Sequence, residues 1–209
     1  MSMKNLAVLF LGSLLAGVSL LRAPLLAQME GRTLLNGTPL PFFIYKAHRA
    51  PENHYIPSGW MGDYGDLRFD DRFKERARDD KTCIRVVYNA RASQGAGWAG
   101  IYWQNPANNW GNRDGGYNLN GATRLVFLAR GSQGGEHVAE FKVGGIEGTY
   151  RDSGAAAIGP LFLTKAWKEY AIALGDQELS SIAGGFCLVM TRDQNPKGAT
   201  VLLDNIRFE

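Results

Sequence analysis

Short apolar runs, each closed by a turn-forming residue, follow one another along most of this chain. CIRVVY, WAGIYW, TRLVFLAR, VAEFKVGG, GPLFLT, KEYAIAL, GFCLVM and ATVLLDNIRF are rich in Val, Ile, Leu, Phe and Tyr, and Gly, Pro, Asn or Asp bounds each one. Runs of this length and spacing predict strands. PFFIYK reads as the first of them, and no amphipathic helical pattern lies between the runs. The prediction is an all-β chain folded as an antiparallel β-sandwich.

Alternation sorts these strands into faces, because successive side chains of a strand point to opposite sides. In Arg124 to Arg130, Leu125, Phe127 and Ala129 share the side predicted to face the core, and Arg130 lies on the other. In Ala139 to Val143, Phe141 and Val143 oppose Glu140 and Lys142. Around Trp98, the set Trp98, Gly100, Tyr102 and Gln104 opposes Ala99, Ile101 and Trp103. If the first set faces outward, Trp98 and Tyr102 join the charged residues on one surface. Two stretches carry no strand pattern. HRAPENHYIPSGWMGDYGD reads as a polar connection holding His48, His54, Trp60, Asp63, Tyr64 and Asp66, and the interleaved charges of Arg68 to Lys81 read as a solvated linker.

The first residues follow a different pattern. Lys4 precedes an uncharged apolar run, Leu6 to Leu21, then Arg22, Ala23 and Pro24 interrupt it, and Ala27 offers a small residue for cleavage. This predicts an N-terminal signal helix, a signal peptide over 1–27, with an uncleaved anchor as the alternative. An extended N-terminal lead over 28–41 follows, held open by Pro39 and Pro41, and the sandwich occupies 42–209. The expected location is secreted or periplasmic, with no membrane partner once the signal is cleaved.

Charge narrows the partners. The 209 residues include 23 basic and 20 acidic ones. Residues 1–27 contain two of the basic ones, Lys4 and Arg22, and no acid, so the rest carries 21 basic and 20 acidic residues, formally +1. No clustered basic run suggests nucleic acid. Cys83 and Cys187 both sit inside strand runs. Export permits a disulfide between them, and two buried thiols are the alternative.

The stretch GWAGIYWQNPANNWGNRDGGY, Gly97 to Tyr117, holds Trp98, Tyr102, Trp103, Trp110 and Tyr117 among amides, with Arg113 and Asp114 its only charges. Large rings beside amides suit a polar ligand with flat apolar faces, such as a sugar, because rings supply buried area and amides fix orientation. The alternative is that most of these rings are core. The candidate stacking residues are Trp98, Tyr102, Trp103 and Trp110, with Trp60 closing one end. Gln104, Arg130, Glu140, Lys142 and Arg192 are the candidates for hydrogen bonds to hydroxyls.

AWKEYAIAL, GGFCLVM and the closing ATVLLDNIRFE, with GWAGIYW and TRLVFLARG in the centre, resemble carbohydrate-binding modules of the jelly-roll, galactose-binding-like fold over roughly Phe42 to Glu209. The resemblance implies a jelly roll that binds a polysaccharide or oligosaccharide on a concave sheet face or in its end loops, without catalysis. It also implies a structural calcium ion with Asp204 of the last strand among its ligands, although the usual acidic partner is absent from PFFIYK. No other cofactor is called for.

Two rival functions stand beside that reading. A jelly-roll hydrolase or lyase would need facing carboxylates, for which Glu140 with Glu147 or Asp152 is the available set. A structural or adhesion protein would use the rings as a protein interface. Gly95, Gly97 and Gly100 spell a dinucleotide motif, but strand follows where that motif needs a helix. The sequence has no His-Glu-x-x-His, Cys-x-x-Cys, Gly-x-Ser-x-Gly or Walker loop.

Overall fold

The computed structural model describes residues 38–74 and 82–209. The signal peptide expected over 1–27, residues 28–37 of the lead and residues 75–81 of the charged stretch lie outside them. Among the described residues thirteen strands follow in order: β1 (Phe42–Tyr45), β2 (Ile56–Gly62), β3 (Leu67–Lys74), β4 (Thr82–Tyr88), β5 (Trp98–Gln104), β6 (Arg124–Gly131), β7 (His137–Val138), β8 (Glu140–Gly144), β9 (Ala155–Ile158), β10 (Leu161–Phe162), β11 (Lys168–Ala173), β12 (Gly184–Thr191) and β13 (Ala199–Phe208). Among the described residues the only helical element is one 3-10 turn, Tyr64–Asp66. Every strand pairing is antiparallel.

Two sheets make the sandwich. One runs β11-β6-β13-β4-β3, with β1 also paired to β13; the other runs β2-β5-β12-β8-β9. Strands β7 and β10 form a separate short pair. The alternation read from sequence decides which side chains meet between the sheets. Ile84, Val86, Leu125, Phe127, Ala129, Val201 and Leu203 come from the first sheet, and Ala99, Ile101, Trp103, Phe141, Val143, Phe186 and Leu188 from the second. Phe127 joins the layers directly, with ring centroids 5.1 Å from Phe186 and 4.7 Å from Phe141. Each Val, Leu, Ile or Phe among them contributes roughly 1.5–3 kcal/mol by leaving water.

The two patternless stretches prove to contain strands. Within the polar connection, Ile56–Gly62 forms β2, and Leu67–Lys74 at the start of the charged stretch forms β3. Both are edge strands. Pro57 in β2 and the charges of β3 are what an edge tolerates, since one side of the ladder is unpaired. Cys83 and Cys187 are both buried thiols. Cys83 pairs with Phe73 on β4 while its neighbour Ile84 faces the core, and Cys187 pairs with Tyr102 and Lys142 on β12. They point away from the core on different sheets. Packed sheets lie about 10 Å apart, whereas a bridge needs Cα atoms within roughly 7 Å.

Candidate functional site

The outer face of the second sheet carries the groove of interest. Register alone builds it. Met61, Gly100, Val189 and Glu140 form one row across β2, β5, β12 and β8, and Tyr102, Cys187 and Lys142 form the next. Trp98 stands beyond the first row, opposite Thr191. These residues, Thr191 and Gly100 apart, line a groove of about 310 Å³. Gly100 keeps its floor low: a Cβ there would lie 2.9 Å from the Met61 methyl and 3.0 Å from the Leu188 carbonyl oxygen.

Tyr102 lies down along this floor. Its hydroxyl crosses β12 to donate to the Gly144 carbonyl at 2.5 Å, and its ring covers Gly184, where a Cβ would come within 2.9 Å of Cε1. Burial pushes the Tyr102 phenol and the Cys187 thiol above their ordinary ranges. Glu140 and Lys142 are half-buried, and neither side chain makes a hydrogen bond or ion pair with another described residue, although the Lys142 ammonium favours the nearby Asp152 charge. Two polar heads with unused hydrogen-bonding capacity therefore stand beside the rings.

Each end of the groove is fixed by a buried carboxylate. At one end the Asp63 carboxylate accepts the backbone N–H groups of Gln94 (2.7 Å), Ala96 (3.0 Å) and Gly97 (2.6 Å), and the Asp63 amide donates to the Trp98 carbonyl at 2.7 Å. Burial opposes its charge, but these donors outweigh burial and hold the carboxyl below its usual range. The loop that delivers Trp98 is thereby fastened. At the other end Asp152 accepts from Ile146 (2.9 Å), Ala183 (2.5 Å) and Gly184 (3.3 Å). Here burial outweighs the donors, and the carboxyl is raised.

Trp110 stands at the Asp152 end, edge-on to Tyr102 with centroids 6.1 Å apart, and is 43% exposed. Its turn is clasped to the β8–β9 loop. Gly111 adopts φ +77°, a left-handed conformation suited to glycine, and a Cβ there would fall 1.9 Å from the Glu147 carbonyl oxygen. The Tyr150 amide donates to the Gly111 carbonyl at 2.9 Å.

The groove thus brings together Trp98, Tyr102, Glu140 and Lys142, with Trp110 at its rim. Other candidates lie elsewhere. Trp103 is 1% exposed, held in the core by Phe186 (5.3 Å) and Phe69 (5.9 Å), and offers no stacking face. Gln104 is fully buried: its Nε2 donates to the Asn109 carbonyl and its Oε1 accepts from Ser58, so its amide scaffolds the Trp110 turn. Trp60 neighbours Met61 on β2 and so points to the other side, edge-on to Phe69 at 6.1 Å, at the open margin of the sandwich. Arg130 belongs to the other sheet, where its guanidinium sits 5.7 Å from the Trp167 ring and donates to the Gly131 and Lys165 carbonyls.

Arg192 is exposed just past Thr191, its amide donating to Gly97, beside the Trp98 end but outside the groove lining. Asp204 is buried, and one of its oxygens accepts the Asn205 amide at 2.7 Å. Among the described residues no group of three or more His, Cys, Asp or Glu side chains is placed to hold a metal. A calcium ion would need six to eight oxygens around it, carbonyls as well as carboxylates. Met61, Val189 and Cys187 complete the groove floor; the strand pattern of GFCLVM carried the last two, whereas nothing in IPSGWMG marked Met61.

No protein-family model matches the chain, and no curated protein matches it. Solved structures do. The family 30 carbohydrate-binding module of a cellulosomal cellulase of Clostridium thermocellum superposes with a TM-score of 0.53 at 17% identity, covering 81% of this chain and 97% of that one. Two other family 30 carbohydrate-binding module structures give TM-scores of 0.53 and 0.51 at 15% identity, covering 79% and 81% of this chain and 96% and 87% of theirs. At such identities the likeness is one of fold, the β-sandwich on which those modules are built.

Proposed function

We propose that the protein is a non-catalytic carbohydrate-binding protein and that the groove on the β2-β5-β12-β8-β9 sheet holds a segment of polysaccharide. The observation that carries this is the meeting of Trp98, Tyr102, Glu140 and Lys142 in one open groove, with both charged heads unspent. The exposed Trp98 and Trp110 rings take the apolar faces of pyranose units, the buried Tyr102 ring shapes the floor between them, and the carboxylate and ammonium take hydroxyl groups. The named solved structures are carbohydrate-binding modules, which supports the same reading. With a signal peptide at 1–27, the protein meets its ligand in the periplasm or outside the cell.

Hydrolysis is the competing chemistry and needs a second carboxylate facing the first. Glu140 is the one carboxylate among the residues lining the groove, and the Asp152 oxygens are engaged by three backbone donors. That distribution favours holding over cutting. Affinity electrophoresis in gels containing hydroxyethylcellulose, mixed-linkage β-glucan, xylan, galactomannan or agarose tests the proposal, with released sugar assayed in parallel. Retardation by a polymer, abolished in a folded Trp98→Ala variant and without product, is the expected result. Product release transfers the groove to an enzyme, and absence of both effects removes the carbohydrate reading.

A further inference from the structure

We infer that Tyr150 supplies an outer subsite of the same groove, beyond Trp110, which a sugar chain reaches only after passing Tyr102 and Trp110. The inference rests on the carbohydrate reading above and adds to it a residue and a requirement for ligand length. Tyr150 is 47% exposed, and its side chain makes no hydrogen bond and no ring–ring contact with another described residue. Its backbone, however, is firmly placed. The Tyr150 amide donates to the Gly111 carbonyl, next to Trp110.

The two turns interlock through their glycines. A Cβ on Gly111 would strike the Glu147 carbonyl, and a Cβ on Gly148, at φ +127°, would lie 2.6 Å from the Gly111 oxygen. Two residues beyond Tyr150, Asp152 ties the same loop to the start of β12. Trp110 and Tyr150 are therefore both exposed, on two turns clasped to each other. A ring whose backbone is already fixed sacrifices little freedom when a ligand covers it, and a Tyr can give a sugar both an apolar face and a hydroxyl.

The inferred order of contact follows the same elements. Trp98 and Tyr102 are four residues apart on one strand, about 13 Å; Trp110 stands edge-on to Tyr102, and the Tyr150 turn is hydrogen-bonded to the residue after Trp110. A short oligosaccharide spanning the groove occupies the first rings and leaves Tyr150 bare.

The test uses the polysaccharide retained in the affinity gels, cut by partial acid hydrolysis and fractionated by size from the disaccharide upward. Calorimetric titration of each fraction is carried out on wild type, Trp98→Ala, Tyr150→Ala and Tyr150→Phe, after circular dichroism shows all four folded. Tyr150→Ala is expected to bind the shorter fractions as wild type does and the longest ones roughly tenfold more weakly, a loss of one stacking contact. Tyr150→Phe retains most of the gain with length, and Trp98→Ala weakens every fraction. Wild-type affinity for all lengths in Tyr150→Ala, or an equal loss at all lengths, overturns the subsite while leaving the groove as the binding site. Failure of wild type to bind any polysaccharide overturns the subsite and the carbohydrate reading together.

Discussion

The Tyr102 hydroxyl donates to the Gly144 carbonyl across the intervening strand β12, 2.5 Å away. One hydrogen bond therefore couples β5 to β8 without a shared ladder and sets the ring as part of the groove floor, edge-on to Trp110. The ring is 5% exposed, so its effect on a ligand comes from the surface it shapes and from the position it gives Trp110.

Tyr102→Phe keeps the ring and removes the donor, leaving the Gly144 oxygen without it. The expected cost is about 1 kcal/mol in chemical denaturation, the usual net value of one such bond. Tyr102→Ala also opens a cavity under Trp110 and should cost about 3–5 kcal/mol, by analogy with other large aromatic truncations. A Phe variant as unstable as the Ala variant would mean that the hydroxyl, not the ring, dominates.

Two tryptophans five residues apart should behave oppositely. Trp98 is 36% exposed at the groove, and Trp103 is 1% exposed between the sheets. Trp98→Ala should leave the denaturation midpoint nearly unchanged and abolish gel retardation. Trp103→Ala should cost about 3–5 kcal/mol through its cavity. Equal loss of binding by both variants, at full stability, would remove the assignment of the groove.

The contrast between these residues shows how far alternation reaches. Period two correctly separated Trp98 and Tyr102 from Ala99, Ile101 and Trp103, and Glu140 and Lys142 from Phe141 and Val143. It could not say which of two outer faces a side chain occupies, so Arg130 was grouped with Glu140 although β6 and β8 belong to different sheets. Gln104 shows another limit: it falls on the outward set, yet the Trp110 turn folds over it and uses both ends of its amide. Edge strands β2 and β3 were hidden because an edge tolerates the Pro and charges that otherwise signal a loop. Nor could the sequence bring the Tyr150 turn to the Trp110 turn, since that meeting depends on glycines far apart along the chain.

Cys83 and Cys187 should titrate as two thiols in unfolded protein without reductant and resist a thiol reagent in the native state. Both are buried on different sheets, and burial raises the Cys187 pKa, suppressing the thiolate that reacts. Ellman titration in guanidinium and in buffer measures this directly. No thiol released by guanidinium would contradict the free-cysteine arrangement.

Acid should loosen the Trp98 end of the groove through Asp63. The folded Asp63 carboxyl lies below its ordinary value because backbone donors outweigh burial. Its contribution to stability is therefore present above the unfolded pKa, near 3.9, and is lost as pH falls through the lower folded value. Asp63→Asn replaces one accepting oxygen with an amide NH₂ that faces backbone donors, so it should lower the denaturation midpoint at neutral pH. That difference should narrow on acidification below pH ~4, where the wild-type carboxyl also takes up a proton. Trp98 fluorescence provides the local readout, because the three donors lie in the loop entering that residue. A wild-type and variant difference that stays constant from neutral pH down to pH ~2 would show that the Asp63 charge does not hold the loop.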